Sequence, residues 1–256
     1  MDEMFTKELH KLPENTWKGI ARMRNWWIMI GVLFMVIFLR NAPEDIPADN
    51  SAQIQIETKY VALTFDDGPK QETTEPLLEG LQARGANATF FLVGEWAAVN
   101  QDLVRRMRDQ GHQIGNHTWS HVRLEGKDTE VLLQEIQHTE TLLHQILGGS
   151  DYWLRPPYGA IAPALENKIK VPMVKWSVDP RDWESREEES IVEAVLSDVK
   201  PNSIILMHDI YPESVNAALE IVDRLQREGY WFVTVEELLR LNGIEPQAGA
   251  MYRTGV

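Results

Sequence analysis

Two carboxylates stand side by side in Thr64-Phe65-Asp66-Asp67-Gly68-Pro69, directly after a run of β-forming residues. Adjacent carboxylates at the end of a buried strand repel unless a cation or a proton shares the site. A surface turn of the Asp-Gly-Pro kind is the ordinary alternative. Further along, Asn116-His117-Thr118-Trp119-Ser120-His121 sets two histidines four apart. On a helical turn such a pair faces one way, which is the spacing that metal ligation uses. Alone it is more often surface decoration. Joined to Asp67, however, His117 and His121 make a set of two imidazoles and one carboxylate, which leaves coordination positions open for water and substrate. Such sets serve catalysis more than structure. Three more segments carry comparable groups: Arg155-Pro156-Pro157-Tyr158-Gly159, Asp179-Pro180-Arg181-Asp182-Trp183 and Leu206-Met207-His208-Asp209. Each has a bland reading as a proline-stiffened loop, a polar turn or a rim histidine, but their joint placement does not.

That placement is set by the elements before them. β-rich runs occur at 60–65, 88–93, 112–116, 152–155, 171–177, 203–207 and 230–234. Helical periodicity fills the intervals: Leu77, Leu78 and Leu81 before Gly85; Leu103, Val104 and Met107 before Gly111; Leu132, Ile136, Leu143 and Leu147 after a capping Asp128 and before Gly148-Gly149; and Ala218, Ile221, Val222 and Leu225 after Ser214. Strands alternating with helices predict a parallel α/β architecture, either an open doubly wound sheet or a barrel. In such folds function collects at the strand ends, where all five segments lie.

Composition bounds the rest. With 25 Lys+Arg against 39 Asp+Glu the net charge is −14, which argues against nucleic acid as a partner, since phosphate binding needs concentrated cations. The absence of Cys removes disulfides, thiolate zinc sites and cysteine nucleophiles. No nucleophile-elbow serine and no phosphate-binding loop are present. Nine Trp in 256 residues is a high number; most belong to a core, while Trp96, Trp119 and Trp153 near the motif-bearing loops are candidates to line a sugar groove. His10, His138 and His144 read as solvated, and His112 as packed. Residues 26–39 form an uncharged apolar run, WWIMIGVLFMVIFL, behind a weakly cationic stretch containing Arg22 and Arg24. At about 21 Å as a helix it is short for a hydrocarbon core of about 30 Å. Ala42 and Ala48 make poor cleavage sites, with Arg40 and Ile46 at the −3 positions. A retained anchor is therefore expected in preference to a cleaved signal peptide, with the remainder exported in either case.

Taken in order, the five segments resemble the motifs of the polysaccharide deacetylases of the nodulation-type chitooligosaccharide deacetylase homology group, carbohydrate esterase family 4. Ala88-Thr89-Phe90-Phe91 and Gly111-His112-Gln113-Ile114-Gly115-Asn116-His117 match between the motifs as well, so that the resemblance covers about residues 58–241. It implies an irregular (β/α) barrel with about seven parallel strands. It implies that Asp67, His117 and His121 hold a divalent metal, zinc in most members, with cobalt, nickel or manganese as alternatives. Asp66 would be the general base and Arg155 its partner; the backbone N–H of Tyr158 would receive the oxyanion. His208 would be the general acid, oriented and charged by Asp182, while Trp183 and Leu206 would wall the acetyl pocket. Asp179 would support the Arg155 loop. The activity implied is removal of N-acetyl groups from N-acetylglucosamine-type units of an extracellular glycan, peptidoglycan or chitin-like oligomers. An O-acetyl esterase acting on xylan-type polymers and a catalytically vestigial wall-binding protein are the alternatives. The expected organisation is a cytoplasmic segment 1–25, an anchor 26–39, a linker 40–57, a catalytic domain 58–241 and a tail 242–256, in a monomer held at the membrane.

Overall fold

The computed structural model describes residues 58–149 and 151–256. The expected cytoplasmic segment, anchor and linker lie outside the described residues. No described helix is long and apolar enough to cross a membrane.

Strand β1 (Lys59–Asp66) is buried from Val61 onward and has parallel neighbours on both edges. Strand β2 (Ala88–Leu92) runs beside it from Leu63 opposite Ala88 to Asp66 opposite Phe91. Strand β5 (Ile204–His208) lies on the other edge, ending with Asp66 opposite His208. Strand β3 (Gln113–Asn116) continues the sheet beyond β2, and β6 (Tyr230–Phe232) pairs with the first half of β1. Strand β4 (Met173–Val174) pairs separately with β7 (Met251–Tyr252).

Period-two alternation gives β1 two different faces. Val61, Leu63 and Phe65 join a core cluster with Leu77, Leu78 and Leu81 of helix α1 (Gln71–Ala83) and Ile221 and Val222 of helix α7 (Pro212–Arg227). Phe65 stacks on Phe90 with ring centroids 5.2 Å apart. Ala62 belongs to another cluster, with Phe91, Trp153 and Ile204; Thr64 and Asp66 share its alternation. The outer layer also contains α2 (Gly94–Val99), α3 (Gln101–Asp109), α4 (Thr129–Leu147) and α6 (Glu188–Asp198), with a single turn, α5 (Pro163–Glu166), and a last helix, α8 (Val235–Leu241). Asp128 caps α4 by accepting from the Glu130 N–H at 2.9 Å, as its position after a loop predicts. Arg84 clamps α1 to α7 through two 2.8 Å bonds to Asp223.

Three sequence expectations change. The run at 152–155 forms no ladder: Leu154 makes single parallel bridges to Asn116 and to Met173. Pro156, Pro157 and Pro172 lack the N–H groups needed to extend pairing in either direction. Of the run at 171–177 only Met173 and Val174 form a ladder, and Pro172 before them lacks the N–H that would extend it backward. Conversely, Met251–Tyr252, expected within a tail, is strand β7. The architecture is thus an α/β fold on a parallel sheet, continued past β3 by isolated bridges.

Buried and exposed strand positions make contrasting demands on substitution. Phe90→Ala, in the fully buried cluster, is expected to cost about 3–5 kcal/mol in urea unfolding. Trp231→Ala, at a residue 66 % exposed, is expected to stay within about 0.5 kcal/mol of the parent.

Candidate active site

The C-terminal ends of β1, β3 and β5 bring Asp66, Asn116 and His208 to one level. The loop after β3 is not the helical turn that the histidine spacing suggests. Thr118 and His121 adopt left-handed conformations, φ 67° and 56°, so the chain turns back instead of coiling. Several bonds hold that loop. The Thr118 N–H donates to Asn116 Oδ1 at 2.9 Å, and Asn116 Nδ2 donates to the Ile136 carbonyl of α4 at 2.9 Å. Gly94 and Glu95, opening α2, donate their N–H groups to the carbonyls of Thr118 and Trp119 at 2.9 and 3.1 Å. The Ser120 N–H donates to Glu135 at 2.9 Å. A side chain at Gly94 would overlap the Trp119 ring and Thr139 Oγ1, which is why the chain can approach so closely there.

At the centre, Arg155 is completely buried. Its Nη1 donates to Asp66 Oδ1 at 2.8 Å and to Thr64 Oγ1 at 2.7 Å, and Nη2 donates to the Lys175 carbonyl at 3.1 Å. The guanidinium lies 4.1 Å from the Phe91 ring centroid. Burial pushes its pKa down, and Asp66 opposes that shift by charge and by hydrogen bonding. One Asp66 oxygen is thereby committed, while Oδ2 faces His117 Nε2 at 3.6 Å.

The three expected metal donors converge. Asp67 Oδ1 lies 3.5 Å from His117 Nε2 and 3.2 Å from His121 Nε2, and one atom from each of the three lies within 4.8 Å of the others. Asp67 Oδ1 is buried and accepts no hydrogen bond. His117 Nδ1 contacts the Arg155 carbonyl at 2.7 Å; a carbonyl only accepts, so Nδ1 carries the proton and Nε2 presents its lone pair. Burial and the neighbouring His117 lower the His121 pKa against the opposing pull of Asp67 and Asp66, which keeps that imidazole neutral as ligation requires. An orphaned carboxylate oxygen facing two imidazole Nε2 atoms fits a divalent cation.

On the other side, Asp182 is buried and grips His208 twice. It accepts the His208 backbone N–H and lies against ring Nδ1, each at 2.8 Å. Burial of the ring lowers the His208 pKa, but the Asp182 hydrogen bond and the charges of Asp182, Asp66 and Asp67 outweigh it and push the value up to about 9.

A cavity of about 430 Å³ unites these groups: Asp66, Asp67, His117, His121, Tyr158, Trp183, Leu206 and His208 all line it. Arg155 and Asp182 lie behind as supports. Trp176 also lines the cavity, with its ring against Gly159; no motif marked it. Thr64 was equally unassigned, yet its spacing of two from Asp66 on a strand placed it on the same face. Asp179 lines the same cavity. Its Oδ1 accepts from the Arg181 N–H at 2.9 Å and shapes its own turn. Of the candidate groove tryptophans, Trp153 is buried in the core, Trp119 stacks on His138 at 3.5 Å, and Trp96 is exposed in a different cleft. His112 is packed as expected: it accepts the Ala88 N–H at 3.1 Å, and burial lowers its pKa to about 4.

A family model described as polysaccharide deacetylase matches residues 54–171. The peptidoglycan-N-acetylmuramic acid deacetylase PdaC of Bacillus subtilis is 38 % identical over 180 residues, 70 % of this chain and 38 % of that protein. A peptidoglycan-N-acetylglucosamine deacetylase of Bacillus cereus is 38 % identical over 190 residues, 70 % of this chain and 68 % of the relative. Among solved structures, a family 4 acetyl xylan esterase from Clostridium thermocellum in complex with a cobalt ion has a TM-score of 0.72 at 33 % identity, covering 77 % of this chain and 98 % of that one. The chain belongs to the polysaccharide deacetylase family. It spans less than half the length of the Bacillus subtilis relative.

In chelator-treated protein, the His208 imidazole is expected to keep its proton until pH about 9. Asp182→Asn removes the largest charge that sustains it while burial remains, so the titration should fall from that value. NMR titration of the ring protons checks this; an unshifted midpoint in the variant would remove Asp182 as the cause.

Proposed function

We propose that this member of the polysaccharide deacetylase family removes N-acetyl groups from N-acetylglucosamine-type residues of an extracellular glycan, peptidoglycan or chitin-like oligomers, and releases acetate. We read its scaffold as an irregular (β/α) barrel and its metal as zinc. The observation that carries the proposal is the convergence, in one cavity, of a three-donor metal set, a carboxylate with one free oxygen and a charged imidazole.

A divalent cation held by Asp67, His117 and His121 would supply electrophilic activation of the acetamide carbonyl and would acidify water at the site. The chain's own groups do the rest. Arg155 fixes Asp66 Oδ1, leaving Oδ2 to take a proton from the attacking water. The Tyr158 N–H, on a turn with φ 60° at Tyr158, is assigned to the developing oxyanion. Asp182 holds His208 Nδ1, so the proton available for transfer is on Nε2. An amine leaves poorly unless protonated, and an imidazolium with a pKa of about 9 is loaded throughout the neutral range. Trp183 and Leu206 form the walls for the acetyl methyl group.

The esterase alternative keeps all of this but needs the acid less, because an alkoxide leaves more readily than an amine. A vestigial scaffold would have no use for a buried arginine that orients Asp66 or an aspartate that charges His208. For location, we place residues 58–256 outside the cell on a retained anchor at 26–39, secretion after cleavage being the alternative. The cavity walls carry Asp66 and Asp67, and the chain as a whole is acidic, so proximity to an anionic wall would have to come from that anchor.

Acetate release from N-acetylated oligosaccharides should be abolished by chelation and restored by zinc. Asp66→Asn should lower kcat by about 10²–10⁴ with little change in KM. His208→Ala should depress amide hydrolysis more than hydrolysis of an O-acetylated xylan fragment. No turnover by the zinc-loaded chain on any acetylated glycan would refute the enzyme reading, and equal losses on both bonds would refute the role given to His208.

A further inference from the structure

A second cleft, of about 610 Å³, is built from the residues that immediately follow the two catalytic turns: Pro69 and Lys70 after Asp67, Ile210 and Tyr211 after His208. The Tyr211 and His208 ring centroids are 6.5 Å apart, so the cleft adjoins the point where the leaving amine would depart. Its lining combines two kinds of group. Trp96 and Val99 of α2 are 53 % and 74 % exposed, and large apolar side chains together at a surface mark a binding site more often than a monomer's idle face. The Arg186 guanidinium lies 3.9 Å from the Tyr211 ring centroid, which leaves the edges of its planar fork directed away from the ring. Among the described residues neither Arg186 nor Lys70 enters an ion pair, whereas Arg84, Arg106 and Arg224 are all engaged with carboxylates. The cleft thus places two cations that form no ion pair beside the exposed Trp96 and the half-buried Tyr211.

We infer that this cleft binds a carboxylate-bearing unit of the glycan strand adjacent to the reacting N-acetylated sugar, with its ring on Trp96 and Tyr211 and its carboxylate on Arg186 and Lys70. The inference rests on the deacetylase reading and narrows its substrate. A neutral chitin-like or xylan-like strand would leave both cations without partners. Glu72 shares the lining and reduces the local charge to a single positive excess, which suits a monoanionic carboxylate better than a dianionic phosphate. Arginine adds a geometric preference, because its fork matches carboxylate oxygens in pairs.

Calorimetric titration of the zinc-loaded full-length chain carrying Asp66→Asn, which slows turnover, tests the inference. Three probes are compared: a peptidoglycan-derived tetrasaccharide with free carboxylates, the same oligosaccharide methyl-esterified, and chitotetraose. The free acid should bind about fivefold more tightly than the ester at low salt. Adding Arg186→Gln should erase that ratio without weakening the ester or chitotetraose, while Arg186→Lys should retain part of it. Equal affinities for acid and ester, or an equal loss on all three probes with Arg186→Gln, would overturn the inference. Acetate release by the unsubstituted chain is measured alongside. Release with equal acid and ester affinities refutes the carboxylate site alone, and an intact affinity ratio without release refutes the deacetylase reading alone.

Discussion

A buried guanidinium needs acceptors for its N–H groups, and the centre of this protein is organised around how Arg155 finds them for Nη1 and Nη2, while Nε is left without one. Its side chain takes Asp66, Thr64 and the Lys175 carbonyl as acceptors, and its aliphatic and π surfaces pack on Phe91. Its backbone is equally engaged: the N–H donates to the Asn116 carbonyl at 3.0 Å and the carbonyl receives His117 Nδ1–H. One residue therefore connects Asp66, His117, the end of β3 and the segment before β4. Removing one partner of a buried ion pair costs about 3–5 kcal/mol, because the other charge is stranded. That constraint ties catalysis to folding. The inner face of β1 can be polar at Thr64 and Asp66 only because Arg155 arrives there, and Arg155 can be buried only because they await it.

Two pairs of opposite charge perform different tasks through different geometry. Arg155 meets Asp66 through one oxygen, so the second oxygen remains available to a proton. Asp182 instead uses both oxygens on His208, one on the backbone and one on the ring, which leaves the imidazole no freedom to turn. The first pair leaves an acceptor open; the second holds a donor loaded. The groups proposed as general acid and general base thus end on neighbouring strands, with Asp66 opposite His208 in the β1–β5 register. Their separation is a property of the sheet and not of a flexible loop, which is how a parallel sheet makes acid and base cooperate across a small cavity.

Much of this was legible in the sequence because the chemistry sits at strand ends, and strand ends can be read from β-rich runs followed by charge. Asp66, Asp67, His117, Arg155, Asp182 and His208 were all found in that way. What stayed hidden lacked a local signature. Thr64 is an unremarkable strand threonine until its alternation with Asp66 is followed inward. Met251 and Tyr252 pair with β4 across a long stretch of sequence, and nothing in a two-residue strand distinguishes it from a tail. Leu154 carries the sheet onward by single bridges between prolines, where β propensity over 152–155 suggested a full strand. The histidine pair misled in another respect: spacing of four suggested a helical turn, yet Asn116 and the start of α2 impose a folded loop that reaches the same convergence by other means.

That loop points to the use of backbone strain. Among the described residues seven non-glycine positions have positive φ, and five of them, Asp67, Thr118, His121, Tyr158 and Arg181, belong to the segments that form the centre. Each such residue costs about 1–3 kcal/mol unless its surroundings over-determine it. They do so here: Asn116 and Gly94 bracket Thr118, Asp179 accepts from Arg181, and the Val93 N–H anchors the Gly68 carbonyl just after Asp67 at 3.1 Å. The function of the strain is clearest at Asp67. Consecutive residues of an extended strand point to opposite faces, so a continued β1 would send the Asp66 and Asp67 carboxylates apart. With φ at 74° the chain reverses at Asp67, and Asp66 Oδ2 and Asp67 Oδ1 come within 3.6 and 3.5 Å of the same His117 Nε2. Gly68 permits the reversal, since any side chain there would overlap the buried Asp209 carboxylate, which Thr74 holds in place. The left-handed turn is what brings two adjacent carboxylates, which a continued strand would send to opposite faces, to one point, as the proposed base and metal donor require.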